Sequence, residues 1–258
     1  AIIERNKKAA ETIIEGGFTY QEIDDGIEIV GYNGPETVIL EVPDVINGKS
    51  VTSIGGAAFA KNSFSKIRLP NTCKVIKETA FAFCSNLKSI KFPDKLVSIG
   101  ANAFFHCTNL ETVLFNENLM QLGYQSFRGT KIKEIALPPH IKDIPECCFG
   151  YCEELENVVL NDGLEEIEES AFIETAIKYI ILPESVKQVN GRPSESNYSF
   201  PFGKEIGMVV MGENTKFTGI PQRATVWCAP MSKARQQAQN AGAWVEAINE
   251  YTDFVKMQ

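Results

Sequence analysis

Histidine is scarce in this chain: His106 and His140 are the only two in 258 residues. They stand far apart, and no Ser–His–Asp or Cys–His arrangement can be built on them from spacing. Gly-x-x-x-x-Gly-Lys and Gly-x-Gly-x-x-Gly, the loops that cradle phosphates, are both missing. Carboxylates are plentiful but follow no positional logic for acid–base work. Cys-x-x-Cys is missing too, so a metal site at Cys147, Cys148 and Cys152 would lack the usual ligand spacing and a nearby histidine. No apolar run approaches the roughly 18 residues a bilayer-spanning helix needs, and no signal-peptide pattern stands at Ala1. Basic residues are in the minority, 25 Lys and Arg against 33 Asp and Glu, giving a formal charge of −8. Such a surface repels phosphate backbones and argues against nucleic acid. The expectation is a chain with no catalytic residues, no cofactor and no metal.

Apolar residues are abundant, at 44%, enough for a sizeable core. They recur at a fixed period. Phe59, Phe81, Phe104, Phe127, Phe149 and Phe172 are spaced by 22, 23, 23, 22 and 23 residues. Each follows a small residue: Ala58, Ala80, Ala103, Ser126, Cys148 and Ala171. Upstream runs a second series, Ile54, Ile76, Ile99, Leu122, Ile144 and Ile167. Three residues before it comes a third, Val51, Cys73, Leu96, Leu119, Ile141 and Leu164. Earlier still in each unit stand pairs such as Ile67/Leu69, Ile90/Phe92, Val113/Phe115, Ile135/Leu137, Val158/Leu160 and Ile180/Leu182. Most are followed by proline, with Asn116 and Asn161 as exceptions.

One unit of about 23 residues cannot bury its own apolar side. Stacked units can, each placing its Ile, Leu and Phe on the matching residues of the next turn. The alternating pair reads as a short strand with two side chains pointing in. Proline after it lacks an N–H and ends the ladder. Gly55, Gly100 and Gly123 read as turn residues with unusual backbone angles. The small residue before each Phe reads as a point of close approach between turns. About six or seven turns are expected.

Motifs such as Val51-Thr-Ser-Ile-Gly, Leu96-Val-Ser-Ile-Gly-Ala-Asn-Ala-Phe and Ile90-Lys-Phe-Pro resemble the BspA-type leucine-rich-repeat family. The resemblance covers roughly residues 17–190. Gly48-Lys49 looks like a first repeat of that family. Thr225-Val-Trp-Cys with Ser232, Ala234, Ala238 and Gly242 looks like its usual ending. It implies an α/β, strand-dominated, right-handed leucine-rich-repeat solenoid, with a parallel sheet on one face and caps at both ends. It also implies a bacterial protein that is secreted or exposed at the cell surface. There the family often works in adhesion, with a host extracellular protein as one possible partner. Seven cysteines would equally suit an intracellular interaction scaffold. A protein partner is expected in either setting, and the sequence specifies no oligomeric state.

A solenoid exposes apolar faces at its ends. Residues 1–35 read as an N-terminal cap: a short amphipathic helix over Ile2–Ile14, then a hairpin of Phe18–Ile23 and Ile27–Tyr32 around Asp24-Asp25-Gly26. Residues 36–190 are the solenoid. Residues 191–258 read as an irregular final turn with a strand candidate at Met208–Met211, then a strand–helix–strand cap: Thr225–Cys228, Ser232–Ala241 and Trp244–Ile248.

Cys84, Cys107 and Cys152 occupy one repeat position, filled by Asn62, Thr130 and Thr175 in other turns. That position suits a side chain that satisfies loop backbone groups inside the stack. Cys73 and Cys148 read as buried packing thiols. Cys84 and Cys107 should be stacked neighbours, and free thiols are the favoured reading.

Repeat register also assigns the outward strand positions. One row is Glu41, Arg68, Lys91, Leu114, Ala136, Val159 and Ile181. Two places earlier lie Ile39, Lys66, Ser89, Thr112, Glu134, Asn157 and Tyr179. The first row is basic at Arg68 and Lys91 and apolar from Leu114 to Ile181. Arg68, Lys91, Leu114, Ala136, Val159, Ile181 and Tyr179 are therefore the candidate protein-binding face. The competing readings are the strand preference of β-branched residues and a C-terminal cap folded over the stripe. A cluster at Glu153, Glu154, Glu156, Glu165, Glu166, Glu168, Glu169 and Glu174 reads as a solvated face, with a basic partner or a cation as the alternative.

Overall fold

The computed structural model describes residues 13–191, 201–202, 206–220 and 223–247. It opens with an antiparallel unit of β1 (Ile13–Glu15), β2 (Phe18–Ile23) and β3 (Gly26–Tyr32). Residues 13 and 14 are thus strand, against the helix expected through Ile14. Gly16 and Gly17, at φ +57° and +83°, reverse the chain and pair β1 with β2, so edge pairing overrides local helical spacing. The rest of that expected helix lies outside the described residues.

Two ladders of short parallel strands follow. The first runs β4 (Ile39–Glu41), β7 (Lys66–Arg68), β9 (Ser89–Lys91), β11 (Thr112–Leu114), β12 (Glu134–Ala136), β14 (Asn157–Val159), β16 (Tyr179–Leu182), β18 (Gly207–Val210), β20 (Thr225–Cys228) and β21 (Trp244–Ala247). Its hydrogen bonding is continuous from β4 to β11, between β12 and β14, and from β16 to β21. The second ladder was not expected. It comprises β6 (Lys49–Ile54), β8 (Val75–Ile76), β10 (Ser98–Ile99), β13 (Asp143–Ile144), β15 (Glu166–Ile167), β17 (Gln188–Val189) and β19 (Lys216–Phe217), with a single bridge from Ser98 to Gln121 between β10 and β13. β3 joins it through Ile29↔Ile54, while β5 (Val45–Ile46) pairs with β6 as a hairpin. The fold is a strand-dominated solenoid of about nine turns rather than six or seven. The additional turns come from the C-terminal quarter, where β18, β20 and β21 continue the first ladder in parallel. Before β20, α1 has not yet begun; it spans Lys233–Asn240, is capped by Ser232 and buries Ala234 and Ala238.

The core is a column of benzyl rings. Consecutive centroids along Phe59, Phe81, Phe104, Phe127, Phe149 and Phe172 lie 5.2, 5.0, 5.2, 5.5 and 5.5 Å apart and within 12° of parallel. Phe202 adds a seventh ring at 5.4 Å. The insertion between Phe172 and Phe202 hid it from a fixed period. Small residues before each Phe serve the predicted close approach. The amide of Phe81 donates to Ala103 at 2.8 Å, and that of Phe104 to Ser126 at 2.7 Å.

The glycines have a different cause from the one expected. Gly55, Gly100 and Gly123 do not need positive φ. A Cβ on Gly123 would stand 2.3 Å from the Ala101 nitrogen, and one on Gly100 would stand 2.6 Å from the Glu78 nitrogen. Positive φ falls instead on Ala57, Thr79, Asn102, Gln125, Cys147 and Ser170, all between 53° and 57°. Each non-glycine there carries local strain. The amides of Thr79 and Asn102 donate to the next turn at 2.9 and 2.8 Å, so inter-turn bonding offsets the strain once per repeat.

Asn116 and Asn161, at proline sites, stitch turns together. Asn116 Nδ2 donates to the carbonyls of Pro93 at 2.7 Å and Leu96 at 3.1 Å, and Asn161 Nδ2 to Pro139 at 2.9 Å and Ile141 at 3.0 Å.

Candidate protein-binding face

As far as β16, each strand of the first ladder turns its second residue inward and leaves the residues flanking it towards solvent, whereas β18 is buried throughout. Arg68, Lys91, Leu114, Ala136, Val159, Ile181 and Tyr179 are all exposed. Register brings Lys91 beside Leu114 and Ala136 beside Val159. The hydrogen-bonded ladder is interrupted between β11 and β12 and between β14 and β16. Leu114 is 54% exposed, Val159 64% and Tyr179 66%. Arg68 is already engaged: its guanidinium lies 3.6 Å from Glu41 and 3.7 Å from Asp44.

Strand pairing runs further than the sequence periodicity reached, although Val209, next after Ile181, is buried. Ile181 pairs with Val209, then Trp227, then Glu246, while Tyr179 pairs with Gly207, then Thr225, then Trp244. A Cβ on Gly207 would meet Tyr179 at 2.5 Å and Trp227 at 2.8 Å, so the missing side chain lets these rings approach to 6.1 Å. Trp227 Nε1 donates to Glu246 at 2.7 Å. Trp244 is 75% exposed. Aligning Met208/Val210 and Val226/Cys228 with Ile180/Leu182 is the signal that extends the pairing to these residues. Between Val159 and Ile181 lies a groove of about 500 Å³, floored by Val158, Leu160, Pro183 and Met211 and edged by Asp162 and Glu184.

Elsewhere several polar groups pair with each other. Glu28, a buried carboxylate, meets Lys77 at 2.5 Å, Ser53 at 2.9 Å and Gln21 at 3.0 Å. In the expected acidic cluster, Glu154 faces Lys131 and Lys133, and Glu165 pairs with Lys142 and Lys187. Lys187 beside Glu165 holds that carboxyl below the usual range. Asp143 is shifted up, first by burial and then by Glu166. His106 stacks on Phe83 at 5.8 Å, and His140 is exposed on another turn.

All seven cysteines are free and buried. Cys84 Sγ donates to the Phe59 carbonyl at 3.0 Å, Cys107 to Phe81 at 3.1 Å and Cys152 to Phe127 at 3.2 Å. Thr130 and Thr175 use their hydroxyls on Phe127 and Phe172. The position satisfies a loop carbonyl in every such turn. Burial pushes Cys73 up to about 12 and Cys152 up to about 11. Hydrogen bonding with the stacked Cys84, then burial, pushes Cys107 up as well. No helix of the described residues is long and apolar enough to cross a membrane.

Stacked strands, an asparagine-and-thiol-stitched interior and an open outer row define a leucine-rich-repeat solenoid protein. The sequence profile of the BspA type leucine rich repeat region matches six copies over residues 39–106 and 76–198, and the chain belongs to that family. A leucine rich cell surface protein of Faecalibacterium prausnitzii A2-165 superimposes with a TM-score of 0.64 at 15% identity, over 95% of this chain and 97% of that one. A leucine-rich repeat protein of Bacteroides ovatus ATCC 8483 gives 0.52 at 19% identity, over 92% of this chain and 76% of that one. At such identities the likeness carries the fold alone. No curated protein matches the chain in sequence.

Proposed function

We propose that this chain is a non-catalytic protein-binding repeat module whose contact surface is the outward row from Leu114 to Ile181, with Tyr179 beside it. The carrying observation is that row: large apolar side chains held open to water on a rigid ladder, Leu114 and Val159 more than half exposed. Isolated exposed apolar residues are ordinary, whereas a contiguous set marks an interaction site. The antiparallel unit of β1, β2 and β3 covers the N-terminal end, leaving the face beyond it. Secretion or exposure at a bacterial surface, in adhesion to a host protein, fits the family and the name of the F. prausnitzii relative. Seven unbridged thiols favour a second reading, an intracellular scaffold. The full-length gene separates them: a leader or wall anchor upstream of Ala1 supports the first, a Met directly before it the second.

The face itself is tested with Leu114→Asp/Val159→Asp. Both side chains point outward, so thermal unfolding should match the parent within about 0.5 kcal/mol. Partners captured by the parent should be lost by the variant. An unchanged partner set from a folded variant would remove this row as the contact surface.

A further inference from the structure

We infer that the groove between Val159 and Ile181 takes an extended polypeptide segment in which Lys or Arg stands next to a bulky apolar side chain. This rests on the proposed binding face. The chain itself supplies the precedent. At the N-terminal end of the row, Asp44 follows its strand by the same offset as Asp162 and Glu184 follow theirs. There the cation comes from within: Arg68 lies 3.7 Å from Asp44. Towards the C-terminal end the residues replacing Glu41 and Arg68 in the row are Val159 and Ile181, so the row supplies no cation; Lys142, nearby, is taken by the Gly163 carbonyl and Glu165. Among the described residues, Asp162 and Glu184 form no ion pair, and no basic residue lines the groove. Both carboxylates are exposed and free to receive one. Met211 and Pro183 complete an apolar floor. A partner side chain of Leu or Ile fills that floor, and its basic neighbour takes the relation to Glu184 or Asp162 that Arg68 has to Asp44. An acidic partner is repelled at the same place.

The test uses three labelled octapeptides and fluorescence anisotropy on the whole chain. One alternates Lys with Leu, one Glu with Leu, and one Lys with Ser. The Lys/Leu peptide should bind and the other two should not. Binding should weaken from about 0.1 M to 1 M salt, as the screening length shrinks from about 10 Å to about 3 Å. Asp162→Asn/Glu184→Gln should weaken it by roughly tenfold, two exposed pairs' worth, and flatten the salt dependence. Equal binding of the Glu/Leu peptide, or an unaltered affinity in the carboxamide variant, would overturn the inference. If that variant keeps every partner lost by Leu114→Asp/Val159→Asp, the face survives and only the basic-partner inference falls. If neither variant loses a partner, the face itself falls.

Discussion

Replacing Phe104 with alanine probes the column on which the fold depends. Its ring is fully buried, stacks on Phe81 at 5.0 Å and Phe127 at 5.2 Å, and meets Phe92 edge-on at 5.7 Å. Truncating a buried Phe costs about 3–5 kcal/mol, more where the walls cannot collapse. Here the walls are pinned. The Phe81 amide is bonded to Ala103 and the Phe104 amide to Ser126, so neighbouring turns cannot close the gap without breaking inter-turn hydrogen bonds. A loss of about 4 kcal/mol is expected. In a chain of this length that lowers the melting temperature by roughly 8–16 °C. Phe83→Ala is the control, because Phe83 is nearly half exposed, meeting Phe105 edge-on and stacking on the imidazole of His106. It should cost about 1 kcal/mol or less. Urea titrations followed by far-UV circular dichroism measure both. Should the two variants melt alike, or Phe104→Ala lose under about 1 kcal/mol, the column is not what holds the turns in register.

Alkali should weaken the fold through its thiols. Cys73 and Cys152 rise from 9.0 to about 12 and about 11 when folded. Above pH 9 the unfolded chain therefore releases protons that the folded chain keeps, and stability falls with rising pH. Between pH 8 and 10 the two together should remove roughly 3 kcal/mol. Cys152→Thr, the residue other turns use there, should reduce the loss over that range by about 1.4 kcal/mol, and an undiminished loss by urea titration would disprove the assignment. Asn116→Ala should cost about 1–3 kcal/mol by stripping the Pro93 and Leu96 carbonyls of their donor; a neutral result by thermal melting would show that water replaces it. Gly123→Ala drives a methyl into the backbone of the preceding turn and should lose at least about 2 kcal/mol. Its signature is faster hydrogen exchange at Asn102, whose amide crosses to Tyr124, and unchanged exchange would count against the close-approach account.

Repetition made the fold legible. Phe, Ile and Leu at a fixed period can only be buried by stacking, and stacking fixes which residues point inward and which point out. Leu114, Val159, Ile181 and Tyr179 could therefore be assigned to solvent before any coordinates. Where the period broke, reading stopped. The insertion before Phe202 concealed another turn, so the pairing of Ile181 with Val209 and on to Trp227 went unread. Backbone geometry was equally silent in the residue types: left-handed φ fell on Ala57, Thr79 and Asn102, which have no glycine signature. Only the next turn, offering a carbonyl at 2.9 Å to Thr79, makes that conformation favourable. The groove at Val159 and Ile181, and the contrast between paired Asp44 and unpaired Glu184, likewise belong to the tertiary structure. They depend on which side chains meet across turns, and one turn's sequence holds no record of its neighbour's distance.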